Sequence, residues 1–241
     1  MGRHRQVCLF GTSANPPTGE GGHQGIVRGL SRLEHLDEIR VLPVFQHTFS
    51  SKRSQLASFE HRMNLCQLAF AEFPKVTVSD AEMRSFQRQM TDTMTETEIA
   101  SLRVGTADLL EMLMEEEPNV DFSFCLGADT FMDLTAWKWQ RSKDVLRLLE
   151  GRLIVLVRKG ITTTATHLRE RVELVNQTEY ARQNIMLMEI PDLQRVSSSL
   201  VRSTVDPIEL NGVVSPAVLE YMLAHELYGF SKAGDDGSTA T

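Results

Sequence analysis

Short apolar runs recur along the chain at residues 6–10, 38–44, 75–78, 121–126, 152–157 and 184–190. Several are continuous rather than alternating (VCLF, FSFCL, LIVLV), as expected of strands covered on both faces in a parallel sheet. Between them lie stretches with helical spacing. Residues 23–35 place Ile26, Val27, Leu30 and Leu33 on one face. Residues 59–73 do the same with Phe59, Met63, Leu65, Cys66 and Ala69, behind Ser58 as a cap. Residues 106–116 carry Leu109, Leu110, Leu113 and Met114, and residues 142–150 carry Val145, Leu146 and Leu149. A more polar helix is expected over 166–176, and one over 215–227 opens with Ser-Pro. Strands alternating with helices predict an α/β fold: a Rossmann-like, doubly wound parallel sheet with helices on both faces. Residues 80–103 form the longest irregular stretch, with a capping box at 95–98 (TETE). One domain is expected over 1–230. The tail 231–241 has little to bury and is expected to be disordered.

The run VCLF is followed by GTSANPPTGEGGH, residues 11–23. In a doubly wound sheet ligands bind beyond the carboxyl ends of the strands, so this loop lies over the expected site. Gly19, Gly21 and Gly22 remove side chains and would let backbone N–H groups approach an anion. His23 stands where a helix should begin. A protonated histidine is favoured at the other end of a helix; here the ring is placed to donate to a phosphate oxygen. The loop is neither a Gly-Lys-Ser/Thr P-loop nor a GxGxxG fingerprint.

Composition narrows the partners. A net charge of −7 argues against a general nucleic-acid binder, although a single nucleotide could still sit in a local basic pocket. No apolar run approaches the ~20 residues of a membrane span. The opening MGRHRQ leads straight into a strand-like run and leaves no room for a secretory segment. Cys8, Cys66 and Cys125 have no metal-ligand spacing and read as reduced, mostly buried thiols. A cytoplasmic location is expected, with a nuclear pool left open, as is homo-oligomerisation.

The loop ending in GGH resembles the T/HxGH phosphate loop of the nucleotidyltransferase superfamily. SSSLVR at 197–202 resembles the SSTxIR motif of nicotinate/nicotinamide mononucleotide adenylyltransferases. Between them, LGADTFMDLTAW resembles that family's GxD…W segment, RLIVLVR its strand ending in Arg, and FQHTFSSK with SFEHR its second loop and helix. VSPAVLEYMLAHELYG resembles the closing helix. The segments span about residues 5–230 in the family's order.

The resemblance implies a reaction in which the 5′-phosphate of a pyridine mononucleotide attacks the α-phosphate of ATP in line, giving a dinucleotide and pyrophosphate in NAD biosynthesis. It implies catalytic roles for His23, Thr18, Lys52 and Arg202. Gly11, Thr12, Gly22, Gly127, Asp129, Ser198 and Ser199 would bind ATP together with His23 and Arg202. Lys52, Thr106, Trp137 and Arg158 would bind the mononucleotide, with Trp139 as the competing indole. Gln46, His47 and Arg62 are weaker candidates. Mg²⁺ would be carried mainly by the ATP phosphates, without a protein metal site. The chain departs from the motif between Thr18 and His23, where two extra residues and the charge of Glu20 intervene. That departure keeps open a nucleotide-binding regulator without turnover; the other alternative is transfer to another phosphate-bearing acceptor such as pantetheine phosphate, against which LGADTFMDLTAW and SSSLVR speak.

Overall fold

The computed structural model describes residues 2–46, 56–158, 162–182, 184–190, 193, 196–204 and 206–230. The apolar runs become strands β1 (Arg5–Thr12), β2 (Glu38–Pro43), β3 (Val76–Val78), β4 (Val120–Gly127), β5 (Leu153–Arg158) and β6 (Ile185–Ile190). They pair in parallel in the order β3-β2-β1-β4-β5-β6. The chain first winds outward from β1 to β3 and then crosses to β4. The crevice at this reversal, above the carboxyl ends of β1 and β4, is where such sheets bind ligands.

Side-chain alternation along β1 divides the interior in two. Val7 and Leu9 face a core with Leu42, Phe122 and Phe124, while Cys8 and Phe10 face a second with Ile39 and Val41. The first core is covered by α3 (Ala81–Gln89), α5 (Thr106–Glu116), α6 (Ala128–Thr135), α7 (Ser142–Leu148) and α8 (Thr162–Asn176). The second is covered by α1 (His23–Ser31), α2 (Phe59–Phe70), α9 (Ser198–Ser203) and α10 (Pro216–Ala224). A short α4 (Glu96–Ser101) lies between α3 and α5. Capping follows the expected chemistry. Ser58 accepts the His61 N–H, and Thr95 and Glu98 close a reciprocal box.

Two helices were not legible in the pattern. Helix α3 (AEMRSFQRQ) buries only Ala81, Ser85 and Phe86, too thin a stripe to stand out from its polar neighbours. Helix α6 (ADTFMDLT) buries Phe131, Leu134 and Thr135 and is only eight residues long. The tail 231–241 lies outside the described residues. Among the described residues, no helix is long and apolar enough to cross a membrane. All three cysteines are unpaired and buried, and burial pushes the Cys66 thiol up to about 12. These are inert core groups rather than nucleophiles.

A charged network fastens the sheet end opposite the crevice. Arg40 forks onto Glu38 at 2.9 and 3.1 Å and onto Glu117 at 2.5 and 3.1 Å. Arg5 and Thr77 also donate to Glu38. Burial alone would raise the Glu38 carboxyl; hydrogen bonds from Arg40 and Thr77 outweigh it and hold it below its ordinary value. Its stabilising contribution is therefore present above the unfolded pKa and lost as pH falls through the folded one. Glu117→Gln keeps the shape but replaces one charged acceptor. We expect a loss of about 1–2 kcal/mol in urea unfolding at neutral pH, with activity unchanged in folded protein.

Candidate active site

Thr18 organises the loop between β1 and α1. Its hydroxyl accepts the His23 N–H at 3.1 Å, and its carbonyl accepts the Gln24 N–H at 3.1 Å, so Thr18 caps the helix from four residues before its cap position Gly22. Gly22 N–H closes a tight turn onto the Gly19 carbonyl at 2.9 Å. The two extra residues are absorbed in that turn, and Thr18 still meets His23. A Cβ on Gly22 would lie 2.0 Å from the Thr18 hydroxyl, so glycine there serves the approach of the chain to itself. The N–H groups of Gly19 and Gly22 are both taken by protein carbonyls. This corrects the expectation that they cradle an anion. Glu20 turns outward and pairs with Arg28 at 2.6 and 2.8 Å; that hydrogen-bonded pairing lowers its pKa. Its charge is thereby neutralised away from the crevice.

The His23 ring is fixed on both sides. Nδ1 receives the Thr18 backbone N–H at 3.1 Å and lies 2.7 Å from the Thr18 hydroxyl. A backbone N–H can only donate, so Nδ1 is the acceptor and the proton sits on Nε2. Nε2 lies 2.8 Å from the Thr12 hydroxyl, which also accepts the Ala14 N–H at 3.1 Å. Thr12 is therefore left with its own O–H to donate. Burial pushes the imidazole down to about 4, so His23 is a neutral donor at physiological pH.

Helix α9 closes the other side of the loop. Ser197 caps it by accepting the Leu200 N–H. Ser198 donates to the Pro16 carbonyl at 2.7 Å, and Arg202 donates to the Asn15 carbonyl at 2.7 Å and to the Ser199 hydroxyl at 3.3 Å. The serines thus divide the work. All three border the crevice with Arg202, but Ser197 and Ser198 also hold backbone, while Ser199 pairs with Arg202.

These groups line a cavity of about 840 Å³ at the carboxyl ends of β1, β4 and β5. One end holds Thr12, Thr18, His23, Ser199 and Arg202. On the β5 side the wall is apolar, with Leu156, Val157 and Leu193. On the other side stand Val44, Glu82, Thr106 and Trp139. Gly11, Gly127 and Asp129 also border it. The structure brings Trp139, not Trp137, to the wall. Trp137 is 44% exposed and packs edge-on against Tyr180 at 6.1 Å, so as it stands it is not a lining residue. Lys52 and His47 lie outside the described residues. The backbone of Arg158 ends β5 on the cavity side. Among the described residues no group of three or more His, Cys, Asp or Glu could hold a metal ion.

Sequence reasoning undervalued Arg62. It is 1% exposed and donates to the carbonyls of Ala57, Ser13, Val44 and Phe45 at 3.0, 3.2, 2.6 and 3.4 Å. No helix-face pattern marks an arginine as buried. It missed Glu82 entirely.

A Cβ on Gly127 would meet nothing within 4 Å, and its φ of −72° suits any residue. The fold does not require glycine there, yet its open side faces the cavity. Gly127→Val should leave the melting temperature within about 2 °C and raise the KM for ATP roughly tenfold by filling that space. Equal KM in a titrated variant would show that the nucleotide does not reach Gly127.

Residues 9–204 match the model of the family described as cytidylyltransferase-like. The chain belongs to this family. Along nearly its whole length it is similar to curated members. It is 27% identical over 228 residues to a probable nicotinate-nucleotide adenylyltransferase of Myxococcus xanthus, covering 94% of this chain and 96% of that one. With the corresponding protein of Oceanobacillus iheyensis it shares 25% over 229 residues, covering 95% and 99%. Among solved structures, the nicotinic acid mononucleotide adenylyltransferase of Plasmodium falciparum complexed with NaAD superposes with a TM-score of 0.67 at 22% identity, over 95% of this chain and 99% of that chain. That likeness shows the cytidylyltransferase-like fold, in agreement with the strand order.

Proposed function

We propose that this cytidylyltransferase-like protein joins ATP to nicotinate mononucleotide, giving the adenine dinucleotide and pyrophosphate. The observation that carries the reading is one cavity in which a polyanion-binding end, built on His23 and Arg202, is continuous with a wall bearing Thr106 and Trp139. A triphosphate suits the first, and a pyridine nucleotide suits the second. The names of the full-length relatives point to the same acceptor.

On this reading the 5′-phosphate of the mononucleotide attacks the α-phosphate of ATP and displaces pyrophosphate. The protein's task is to align two polyanions and stabilise the charge at the transferring group. The Thr12 O–H donates to a phosphate oxygen, backed by His23 Nε2–H, which rests on the Thr12 hydroxyl and turns to the phosphate when it arrives. Arg202 adds a guanidinium fork from α9, and Ser199 a hydroxyl. Neither His23 nor a cysteine is a covalent nucleophile here. Lys52, Thr106 and Arg158 keep the acceptor roles that the family motifs suggest. The cavity offers mostly donors and few carboxylates, which fits Mg²⁺ arriving on the triphosphate, with Asp129 able to orient a metal-bound water. When bound, the ion would supply neutralisation of charge on the pyrophosphate. Three reduced, buried thiols suit a cytoplasmic setting.

The test is Mg²⁺-dependent pyrophosphate release from ATP, with nicotinate mononucleotide and nicotinamide mononucleotide supplied separately. Release with the nicotinate form, together with the matching dinucleotide, is expected. A folded protein that binds ATP yet releases nothing with either acceptor would refute the reading.

A further inference from the structure

Two carboxyl groups line the cavity among the described residues: Asp129, in the first turn of α6, and Glu82, in the first turn of α3. Asp129 lies within a segment that the family motif accounts for. Glu82 lies within none. It accepts a hydrogen bond from the Phe45 backbone N–H, and it also walls a small recess containing Gln46 and Arg103. The Gln46 Oε1 atom is buried there without a partner. Glu82 therefore stands where two polar recesses meet, on the same side of the cavity as Thr106 and Trp139. The phosphate-binding end is built on other elements, and the β5 side is apolar and suited to the adenine. This polar corner is left for the acceptor's ring, an aromatic body with one polar substituent.

We propose that Glu82 is a specificity-determining residue that reads the substituent on the acceptor's pyridine ring, donating as a neutral acid to a carboxylate and accepting as a carboxylate from a carboxamide. The inference deepens the proposed function and rests on it. Geometry limits the neighbours that matter. Arg62, from α2, is the cation whose field reaches Glu82. Tyr228 and Cys66 interact with Arg62 in turn. Arg103 shares the small recess, and Asp129 and His23 share the large cavity. Burial outweighs both the Phe45 hydrogen bond and the attraction of Arg62, and pushes the Glu82 carboxyl up to about 7. Glu82 thus changes from donor to acceptor within the physiological range, while the nicotinate carboxylate stays ionised throughout.

The measurement is kcat/KM for nicotinate and nicotinamide mononucleotides between about pH 6 and pH 8.5, in wild type and in Glu82→Gln. The phosphate titration common to both acceptors cancels in their ratio. The nicotinate-to-nicotinamide ratio should fall roughly tenfold or more as pH rises through the Glu82 pKa. In Glu82→Gln the amide donates and accepts at every pH, so the ratio should be flat. Turnover with a flat wild-type ratio overturns this inference alone, as does a Gln variant that retains the wild-type slope. Turnover of neither mononucleotide overturns the functional reading and this inference with it, so the two failures are distinguishable.

Discussion

Replacing His23 with alanine is expected to lower kcat for adenylyl transfer by about 10²- to 10³-fold, the cost of removing one preorganised donor from a transition state that builds charge on oxygen. The geometry explains why the loss should be so large for a ring that never ionises. Thr18 donates its backbone N–H to Nδ1 and so dictates that Nε2 carries the proton. That proton rests on the Thr12 hydroxyl before substrate arrives and has only to pass from there to the phosphate. Since burial holds the imidazole near 4, kcat/KM, which reports the free enzyme, should show no limb near the ordinary histidine value of about 6.5 that vanishes on substitution. Such a limb would mean that His23 acts as a titrating acid rather than a neutral donor. Stability carries the opposite signature. The unfolded chain binds the His23 proton more readily, so wild-type stability should rise with pH across the window between those two values. His23→Ala should lose that part of the slope. Transfer that survives the substitution unchanged removes His23 from the mechanism.

The sheet was readable because its strands are buried on both faces. VCLF and LIVLV can hardly lie anywhere but inside a parallel sheet. The handedness of crossovers then decides on which face each helix packs, and the strand order of the structure carries the loop at 11–23 to the switch point. The partners within that loop were not readable. Thr18 caps a helix across intervening residues, and sequence spacing made the two extra residues look like damage. In three dimensions they form a turn that returns Thr18 to within 2.7 Å of the ring. The indoles of WKW show another limit. They lie two residues apart around a Trp137 with a φ of +62°, off the helical geometry on which periodicity depends. Which of them faces the cavity is decided by that local turn. Glu82 was hidden for a related reason, since the helix that presents it buries too little apolar surface to announce itself.

Arg62→Met is expected to cost about 3–5 kcal/mol of unfolding free energy, since it strips the donor from four main-chain carbonyls at about 1–3 kcal/mol for each one left unsatisfied. The methionine matches much of the aliphatic stem, so the loss isolates the guanidinium. That group holds four main-chain carbonyls drawn from three separate segments: Ser13 after β1, Val44 and Phe45 after β2, and Ala57 before α2. Without it those carbonyls lose their donor, and each one left unsatisfied carries its own desolvation cost. Function should suffer by the same route. Ser13 and Val44 line the cavity, and Phe45 supplies the N–H that Glu82 accepts. Arg62 does not itself line the cavity, so its effect on the acceptor must pass through these loops. In protein still folded at low temperature, KM for the mononucleotide should rise more than kcat falls. Arg62→Lys should recover little, because one ammonium cannot reach carbonyls spread across a planar fork. A stable Arg62→Met protein with unchanged KM would mean that the loops over the crevice hold their places without the fastener, and that burial of this arginine serves neither stability nor the site.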